Sequence, residues 1–550
     1  MVKSFLHRRS KTIFSAAFIL IVTSLTSRFL GLIRDRLLAG KFGAGDELDI
    51  YYAAFRIPDL IFNILVVGAI SAAFIPVFAE YFHKDKKEAW RLASGVLNLT
   101  VLFLVILAGI LAIFAPQLML LVAPGFNGAK REMTILLTRI MFLSPIMLGI
   151  SSILSGILQY FRRFLVSSLA PLMYNFGIIF GILVFVPAWG LIGLAWGVIL
   201  GAGLHLLIQL PSTIYSGFKY HRILNFHHGG VRKIIKLMIP RTIGLASDQI
   251  NFLVITAIAS TLSAGSIAIF NLSNNIQYLP IGIFGIAFAT AVFPNLSKSF
   301  IWKRKKHFSK DFSSSFSRIL FLIIPLSALF FILRAQIVRI VLGTGKFDWS
   351  DTRLTAAALG IFSLSIFAQS LTPLISRAFY SFHNTKTPVL ISLLSIGLNI
   401  IFSFLLVWIL GFNNAFSSLV SRLLKLEGIK DFSILGLPLA YSLAEIINFR
   451  FLLSQFAKKI NWWQPKRILM SFSKIVIATI IMGIVTYSCL YVVDLFLNTR
   501  TFMGIFFQSF ISATLGISVY CLIMFLLKSP EILGIKQIIF KKFFHPDDSK

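Results

Sequence analysis

The chain is built from long apolar segments separated by short polar loops. A helix that crosses the hydrocarbon core of a bilayer needs about 20 mainly apolar residues. Segments of that length occur near residues 13–41, 52–82, 92–116, 134–160, 164–186, 191–218, 232–262, 270–298, 313–342, 353–379, 387–411, 434–458, 471–497 and 504–528. This pattern predicts an all-α, polytopic membrane protein with 14 transmembrane helices.

The composition agrees with this interpretation and excludes a soluble globular protein. Hydrophobic residues make up 57% of the chain and charged residues only 13%, whereas charged residues are about 25% of an ordinary soluble domain. Cys489 and Cys521 both lie in apolar segments. The sequence therefore predicts neither a disulfide framework nor a cysteine-based metal site.

Basic residues are concentrated in alternate loops. The formal net charge is +32, and Lys and Arg cluster in the two terminal segments and in loops 83–91, 162–163, 218–233, 298–310 and 458–467. Because cytoplasmic loops of membrane proteins are enriched in Lys and Arg, this set is predicted to be cytoplasmic. Both termini then lie in the cytoplasm, which an even number of spans requires.

The loops of the opposite set are short, except for residues 411–433. The centre of this loop, from Phe416 to Leu426, has the apolar spacing of a helix. We expect a short amphipathic helix at the outer interface. A longer irregular loop is the alternative.

An internal repeat is visible at an offset of about 220 residues. GAISAAFIPVFAEYF (68–82) resembles GIAFATAVFPNLSKSF (285–300), and SGILQYFRRF (155–164) resembles SRAFYSFHNTK (376–386). Six helices separate the copies, so both halves have the same orientation. We expect an N-lobe at 1–218, a C-lobe at 219–460, and two further helices with a cytoplasmic tail at 461–550.

Charged residues lie within the first two apolar segments. Arg28, Arg34 and Asp35 belong to the first, and Arg56 and Asp59 belong to the second. Each such residue near the centre of a span costs about 2.5–3.5 kcal/mol on insertion scales. That cost is tolerated where the side chains face a watery cavity and meet an anionic partner. The alternatives are snorkelling to the headgroups, or pairing confined to Asp35 and Asp59.

A second polar set lies in the predicted C-lobe and consists of Asp248, Asn399, Ser403 and Glu445. Asn399 and Ser403 are one turn apart and share a helix face. Oxygen atoms from three helices could hold Na⁺ or a proton as a coupling ion. The alternative is structural pairing, of Asp248 with Arg241 or of Glu445 with Arg450.

The sequence resembles the MurJ (MviN) family of lipid II flippases, within the multidrug/oligosaccharidyl-lipid/polysaccharide exporter superfamily. The resemblance is carried by SRFLGLIRD (27–35), AFRIPD (54–59), GAISAAFIPVFAEY (68–81), LPIGIFGIAFATAVFPNLSKSF (279–300) and RAFYSFHNTKTPV (377–389). It implies two six-helix lobes that alternate in access, and two C-terminal helices that form a groove for the lipid tail. It also implies a bacterial inner-membrane protein that moves lipid II from the cytoplasmic to the outer leaflet.

The resemblance also implies the substrate-binding residues. Arg28, Arg34 and Asp35 match cavity residues of the family's first helix, Asp49 matches an acidic position after the turn, and Arg56 matches a basic position before a proline. Many members have basic residues where this chain has Phe62, Asn63 and Asn275. These differences leave the exact headgroup open.

A lipid-linked diphosphate sugar needs cations and neutral hydrogen-bonding groups. Arginine suits phosphate because its planar fork donates two parallel bonds. Asn274, Asn275 and Gln277 could meet the sugar or peptide, with hydrogen bonding between helices as the alternative. Apart from Na⁺ or H⁺ no cofactor is expected. The expected partners are lipid II, membrane lipids and cell-wall synthesis proteins, with a monomeric chain.

The sequence supports other classes of function less well. A membrane enzyme needs a catalytic carboxylate or histidine pair, but the chain has no DxD or HxxxxD motif and only His205 within a span. An exporter of another polyprenyl-diphosphate oligosaccharide, or of drugs, would share the two-lobe plan. Such exporters resemble this chain less because they usually stop at twelve helices. We therefore expect a transporter and no enzyme activity.

Overall fold

The computed structural model describes residues 13–64, 71–460 and 465–532, with side chains at 19–64, 73–238, 249–460 and 468–532. Every regular element within these ranges is a helix, which confirms the all-α prediction. Within these ranges ten helices are long and apolar enough to span a membrane, or 11 if one pair bent by 43° counts as one span. The predicted total of 14 is consistent with this result and stays a prediction.

The first half of the described chain contains seven helices. They are α1 (Ile13–Phe42), α2 (Asp46–Ile61 and Ser71–Lys84), α3 (Lys86–Ile113), α4 (Gly128–Met141 and Leu143–Tyr160), α5 (Phe164–Phe180, Gly181–Phe185 and Val186–Trp189), α6 (Leu191–Leu207 and Leu210–Tyr215) and α7 (Gly229–Ser260). Of these, α4 and α6 are interrupted, α2 and α5 include π-helical residues, and α2 is described on both sides of residues 65–70. A short helix, Ala115–Val122, connects α3 to α4.

The second half of the described chain also contains seven helices. They are α8 (Ser266–Pro280, Ile281–Ile286 and Ala287–Ile301), α9 (Lys305–Ile332), α10 (Trp349–Ser363 and Ile366–Ser381), α11 (Lys386–Leu410), α12 (Gly436–Lys459), α13 (Pro465–Asp494) and α14 (Phe502–Leu526). A short helix, Arg334–Val341, connects α9 to α10.

The internal repeat recurs in the backbone. The short helices Ala115–Val122 and Arg334–Val341 occupy matching positions, and each has 8 residues. α4 and α10 are both interrupted near their middle. Two residues after its last helical residue, each helix is followed by a basic residue whose backbone is in the left-handed conformation, Arg162 at φ 57° and His383 at φ 57°. The repeat predicted from short sequence matches is therefore a repeat of local structure.

A π-helical segment also recurs at the matching place in α2 and α8. In α2 it covers residues 62–64, one turn after Pro58, and in α8 it covers Ile281–Ile286, directly after Pro280. Proline lacks the backbone N–H that an α-helix needs, so the ladder shifts beside it. Segments of this type are frequent at functional sites.

Two compact units divide the chain. The first comprises Met1–Ala268 and Thr344–Phe347, and the second comprises Ile269–Gly343 and Asp348–Lys550. The first unit extends beyond the expected boundary at residue 218 because α7 packs against α2 and α3. The three-part division into lobes and C-terminal helices stays a prediction.

Close backbone contact joins α5 to α6 in the first unit. A Cβ atom added at Gly177 would lie 2.3 Å from the Cα of Gly201, and one added at Gly181 would lie 2.4 Å from the Cα of Gly197. Small residues let membrane helices approach this closely. The contact fixes α5, which carries a polar residue of the candidate site.

The two C-terminal helices pack against each other in the second unit, and α13 also packs on α9. The hydroxyl of Tyr520 on α14 donates to the carbonyl of Phe321 on α9, at 2.8 Å. In the loop 411–433, the structure confirms the predicted short helix, at Ala415–Leu424. Arg353 at the start of α10 holds this loop by donating to the carbonyls of Lys425 and Glu427.

Candidate functional site

The centre of the candidate site is an ion pair on α1. Nη2 and Nε of Arg34 both donate to Oδ1 of Asp35, at 2.8 and 3.0 Å. The Asp35 side chain is 4% exposed and that of Arg34 is 21% exposed. The carboxylate is therefore buried, whereas part of the guanidinium remains accessible.

Asn175 on α5 provides a third bond to the same guanidinium. Nη1 of Arg34 donates to Oδ1 of Asn175, at 3.1 Å. The amide nitrogen of Asn175 donates in turn to Oγ of Ser27 on α1 and to the carbonyl of Pro171. Asn175 is itself buried. This amide thus orients Arg34 and ties α5 to α1.

Arg34 keeps donors for a further acceptor. A guanidinium has five N–H groups, and three of them serve Asp35 and Asn175 among the described residues. A phosphate oxygen is the kind of acceptor that the remaining pair would suit.

Arg56 on α2 is held by α7. Its Nε donates to Oγ1 of Thr256, at 2.7 Å, and its guanidinium carbon lies 5.6 Å from the centre of the Phe252 ring. Thr256 also donates to the carbonyl of Phe252. Arg56 is half-buried. The arginine therefore has a fixed orientation, stabilised by one hydrogen bond and one cation–π contact.

The structure places the other predicted residues of the first unit differently. Arg28 is half-buried on α1, two turns before Arg34. Asp49 is 1% exposed, and its two oxygens accept from the backbone N–H groups of Gly265 and Ala268, at 2.8 and 2.9 Å. Gly265 directly precedes α8, and Ala268 lies in its first turn. Asp49 thus caps that helix, a structural arrangement that the sequence did not indicate.

A cavity of about 220 Å³ lies in the first unit, and its wall includes Phe55 and Tyr174, the chain neighbours of Arg56 and Asn175. Its wall combines four polar side chains with aromatic rings: Asp59, Ser144, Tyr174, His205, Phe55 and Phe62. Phe62 thus contributes apolar wall at a position where many family members are basic.

A hydrogen-bond network holds His205. Nε2 of Gln209 donates to Oγ of Ser151, at 2.6 Å. That oxygen lies 2.7 Å from Nδ1 of His205 and 3.2 Å from the His205 carbonyl, so the Ser151 hydroxyl can donate to either atom. His205, the one histidine predicted within a span, thus lies in a cavity wall.

The amide residues predicted for substrate binding lie in the second unit. Gln277 on α8 is fully buried and donates to Oδ1 of Asn274, at 2.8 Å. Gln369 on α10 donates to Oε1 of Gln277, at 3.2 Å. Asn274 and Asn275 are half-buried. Gln277 thus connects α8 to α10, which agrees with the alternative of hydrogen bonding between helices. Its role in substrate binding stays a prediction.

The predicted ion-coupling residues are partly described. Asn399 and Ser403 are buried on the face of α11 that packs on α12, with Oγ of Ser403 3.5 Å from Oδ1 of Asn399. Glu445 is half-buried on α12. The side chain of Asp248 lies outside the described residues. Side chains with oxygen atoms thus lie on two helices, α11 and α12, that pack against each other. An ion-binding site between these helices stays a prediction.

Sequence reasoning missed three residues of the first unit: Asn175, Thr256 and Tyr174. Asn175 stands alone in an apolar segment, LAPLMYNFGIIF, and that isolation is a signal that could have found it. Thr256 gave no signal because a threonine within a span can satisfy its hydroxyl by bonding its own helix.

Comparison with known proteins decides the family. The family described as Lipid II flippase MurJ matches residues 38–507 of the chain. This chain belongs to the MurJ lipid II flippase family. A probable lipid II flippase MurJ from Buchnera aphidicola (Acyrthosiphon pisum) is 29% identical over 531 residues, covering 94% of this chain and 96% of the relative. One from Vibrio cholerae is 31% identical over 423 residues, covering 73% and 79%.

Solved structures of MurJ and of its superfamily agree with the fold. A lipid II flippase MurJ in an inward closed conformation superposes with a TM-score of 0.75 at 25% identity, covering 93% of this chain and 98% of that one. An inward-facing MATE family transporter of the MOP superfamily superposes with a TM-score of 0.63 at 14% identity, covering 80% and 98%. The likeness to the MATE transporter shows the shared fold alone.

Proposed function

We propose that this chain is a flippase that moves lipid II, the lipid-linked peptidoglycan precursor, from the cytoplasmic to the outer leaflet by alternating access. Membership of the MurJ family supports the substrate class. The two-fold backbone repeat supports the mechanism, because repeats of this kind rock against each other in transporters. The proposal includes a bacterial inner-membrane location with both termini in the cytoplasm.

The observation that carries the proposal is the oriented, partly exposed guanidinium of Arg34. Asp35 and Asn175 accept from it, and 21% of its side chain stays accessible. Among the described residues, these two partners use three of its five N–H groups, so two remain for an acceptor on the substrate. Arg34 is therefore suited to grip a diphosphate oxygen with its remaining N–H groups.

Transport of lipid II requires binding and release, with no covalent step. Arg28 and Arg56 would add positive charge for the diphosphate within the same unit. Asn274, Asn275 and Gln277 would provide neutral donors and acceptors for sugar or peptide. Coupling to Na⁺ or H⁺ would use Asp248, Asn399, Ser403 and Glu445. No catalytic role follows for any of these residues.

Depletion of the protein in its own host tests the proposal. We expect lipid II to accumulate in the cytoplasmic leaflet, because its synthesis there continues while its export stops. Re-expression of the wild-type chain should clear the accumulated precursor. Unchanged amounts of lipid II in both leaflets after full depletion would refute the proposed function.

A further inference from the structure

A basic pocket lies where several spans of the second unit end together. The pocket has a volume of about 580 Å³, and its basic wall consists of Lys303, Lys305, His383 and Lys459. The α8 span ends at Ile301 and the α12 span ends at Lys459, whereas the α9 span begins at Lys305. The pocket therefore lies at one membrane boundary.

The lysines of the basic pocket form no ion pair with the part of the chain that the structure describes. None of the described residues that line the pocket is acidic, and the ion pairs of the described residues use other lysines. Lys303 and Lys305 are exposed. The pocket thus presents positive charge, which attracts an anion.

Two pocket residues occupy backbone positions that favour other residue types. Lys303 and His383 follow the ends of α8 and α10 with φ of 55° and 57°, a left-handed conformation in which glycine is preferred. The chain does use glycine at the equivalent end of α6, where Gly217 has φ 92°. Non-glycine residues in this conformation are often kept for a function.

The position of Lys305 is also unfavourable for its own helix. It is the first residue of α9, and the first turn of α9 contains no acidic residue. The positive end of the helix dipole disfavours a cation there. Helix formation thus does not account for Lys305, whereas a bound anion would be stabilised by both the lysine and the helix end.

An aromatic wall adjoins the basic residues. The Phe382 ring lies 4.9 Å from the Phe300 ring and 5.1 Å from the Phe308 ring, centre to centre. Nearby, Trp302 contacts Lys298 and Arg304 through cation–π interactions at 4.4 and 4.6 Å. Tryptophan beside basic residues is typical of the membrane interface. A ligand that combines a phosphate with an acyl chain fits this pocket better than a free anion.

We propose that the basic pocket binds the phosphate headgroup of an anionic phospholipid, with the acyl chain against Phe300, Phe308 and Phe382. Basic pockets between helices at a membrane face bind such headgroups. The inference concerns a resident lipid and does not depend on the transported substrate.

The test compares two double variants of the full-length protein. Lys303→Gly/Lys305→Gln removes two positive charges from the pocket. Glycine suits the left-handed backbone at position 303, and a neutral residue suits the first turn of α9 at position 305. Arg162→Gly/Lys306→Gln is the matched control: Arg162 has the same left-handed backbone outside the pocket, and Lys306 lies in the same first turn of α9. Native mass spectrometry of the purified proteins would measure binding of phosphatidylglycerol and phosphatidylcholine.

We expect the wild type to prefer phosphatidylglycerol and the pocket variant to bind it roughly 25-fold more weakly, since each of the two basic residues contributes about a factor of five near a surface. The control should keep the preference. Equal binding by the pocket variant and the wild type would overturn the proposal, as would an equal loss in the control. Displacement of phosphatidylglycerol by millimolar inorganic phosphate would also overturn it, because it would indicate a free-anion site.

Discussion

Nη1 of Arg34 lies 3.1 Å from Oδ1 of Asn175, a residue 141 positions further along the chain. The contact joins α1 to α5 and fixes the guanidinium that we propose for diphosphate binding. We therefore expect that Asn175 positions the guanidinium of Arg34. Its importance can be separated from that of Arg34 by mutation.

Asn175→Ala should reduce lipid II transport while the protein stays at normal abundance in the membrane. A hydrogen bond to a charged group is worth about 1.5–3 kcal/mol, so we expect the apparent affinity to fall roughly tenfold or more. Transport in reconstituted vesicles at several lipid II concentrations would measure it. Ser27→Ala, which removes one acceptor of the Asn175 amide, is the control and should have a small effect. Normal apparent affinity in Asn175→Ala would show that the contact does not position Arg34.

Asp49→Asn should lower the stability of the protein. Both oxygens of Asp49 accept backbone N–H groups at the start of α8, and asparagine can replace only one of these acceptors. Loss of a helix cap costs about 0.5–2 kcal/mol. Thermal unfolding of the purified protein would measure the loss. Asp46→Asn is the control, because Asp46 is exposed and pairs only with Lys130 among the described residues.

A different outcome would favour the role that the sequence predicted for Asp49. If Asp49→Asn unfolded at the wild-type temperature but failed to transport lipid II, contact with substrate would explain the residue better than capping.

Asp248→Asn tests the predicted coupling site. If Asp248 binds Na⁺ or a proton, its neutral isostere should keep expression and folding, but transport should slow and lose its dependence on that cation. Flux measured across a range of Na⁺ concentrations and membrane potentials would show this. Arg241→Gln, which removes the alternative partner of Asp248, is the control. Normal, cation-dependent flux in Asp248→Asn would exclude this residue from coupling.

Much of the fold could be predicted from the sequence because it follows from local patterns. The lengths of the apolar segments predicted the helices, and two short sequence matches at one offset predicted the repeat. Arg162 and His383, which follow α4 and α10 in the left-handed conformation, agree with that repeat. The cost of burying charge drew attention to Arg34 and Asp35, and the structure shows that these two residues form an ion pair. Their role toward substrate stays a prediction.

The remaining details depend on contacts between distant segments. Asn175 bonds Arg34 and Thr256 bonds Arg56 only because helices far apart in sequence pack together. Asp49 was predicted to bind substrate from its place in a motif, and its backbone partners at Gly265 and Ala268 lie more than 200 residues away. No periodicity in the sequence encodes such pairs.

We propose that the planar guanidinium of Arg34 binds a diphosphate through two parallel N–H donors. Arg34→Lys keeps the charge but lacks the paired donors, so it should fail nearly as badly as Arg34→Ala. If Arg34 were only the partner of Asp35, Arg34→Ala should instead reduce the amount of protein, because a buried carboxylate would be left unpaired. Asp35→Asn in the Arg34→Ala background would then restore abundance.

Complementation of a flippase-depleted host by Arg34→Lys and Arg34→Ala, with the amount of membrane protein checked by blot, is the most direct measurement. Neither variant should support growth, and this failure should occur even though Arg34→Lys, which keeps a charge beside Asp35, is present at the wild-type level. Full complementation by Arg34→Ala at normal abundance would contradict the proposed role of Arg34.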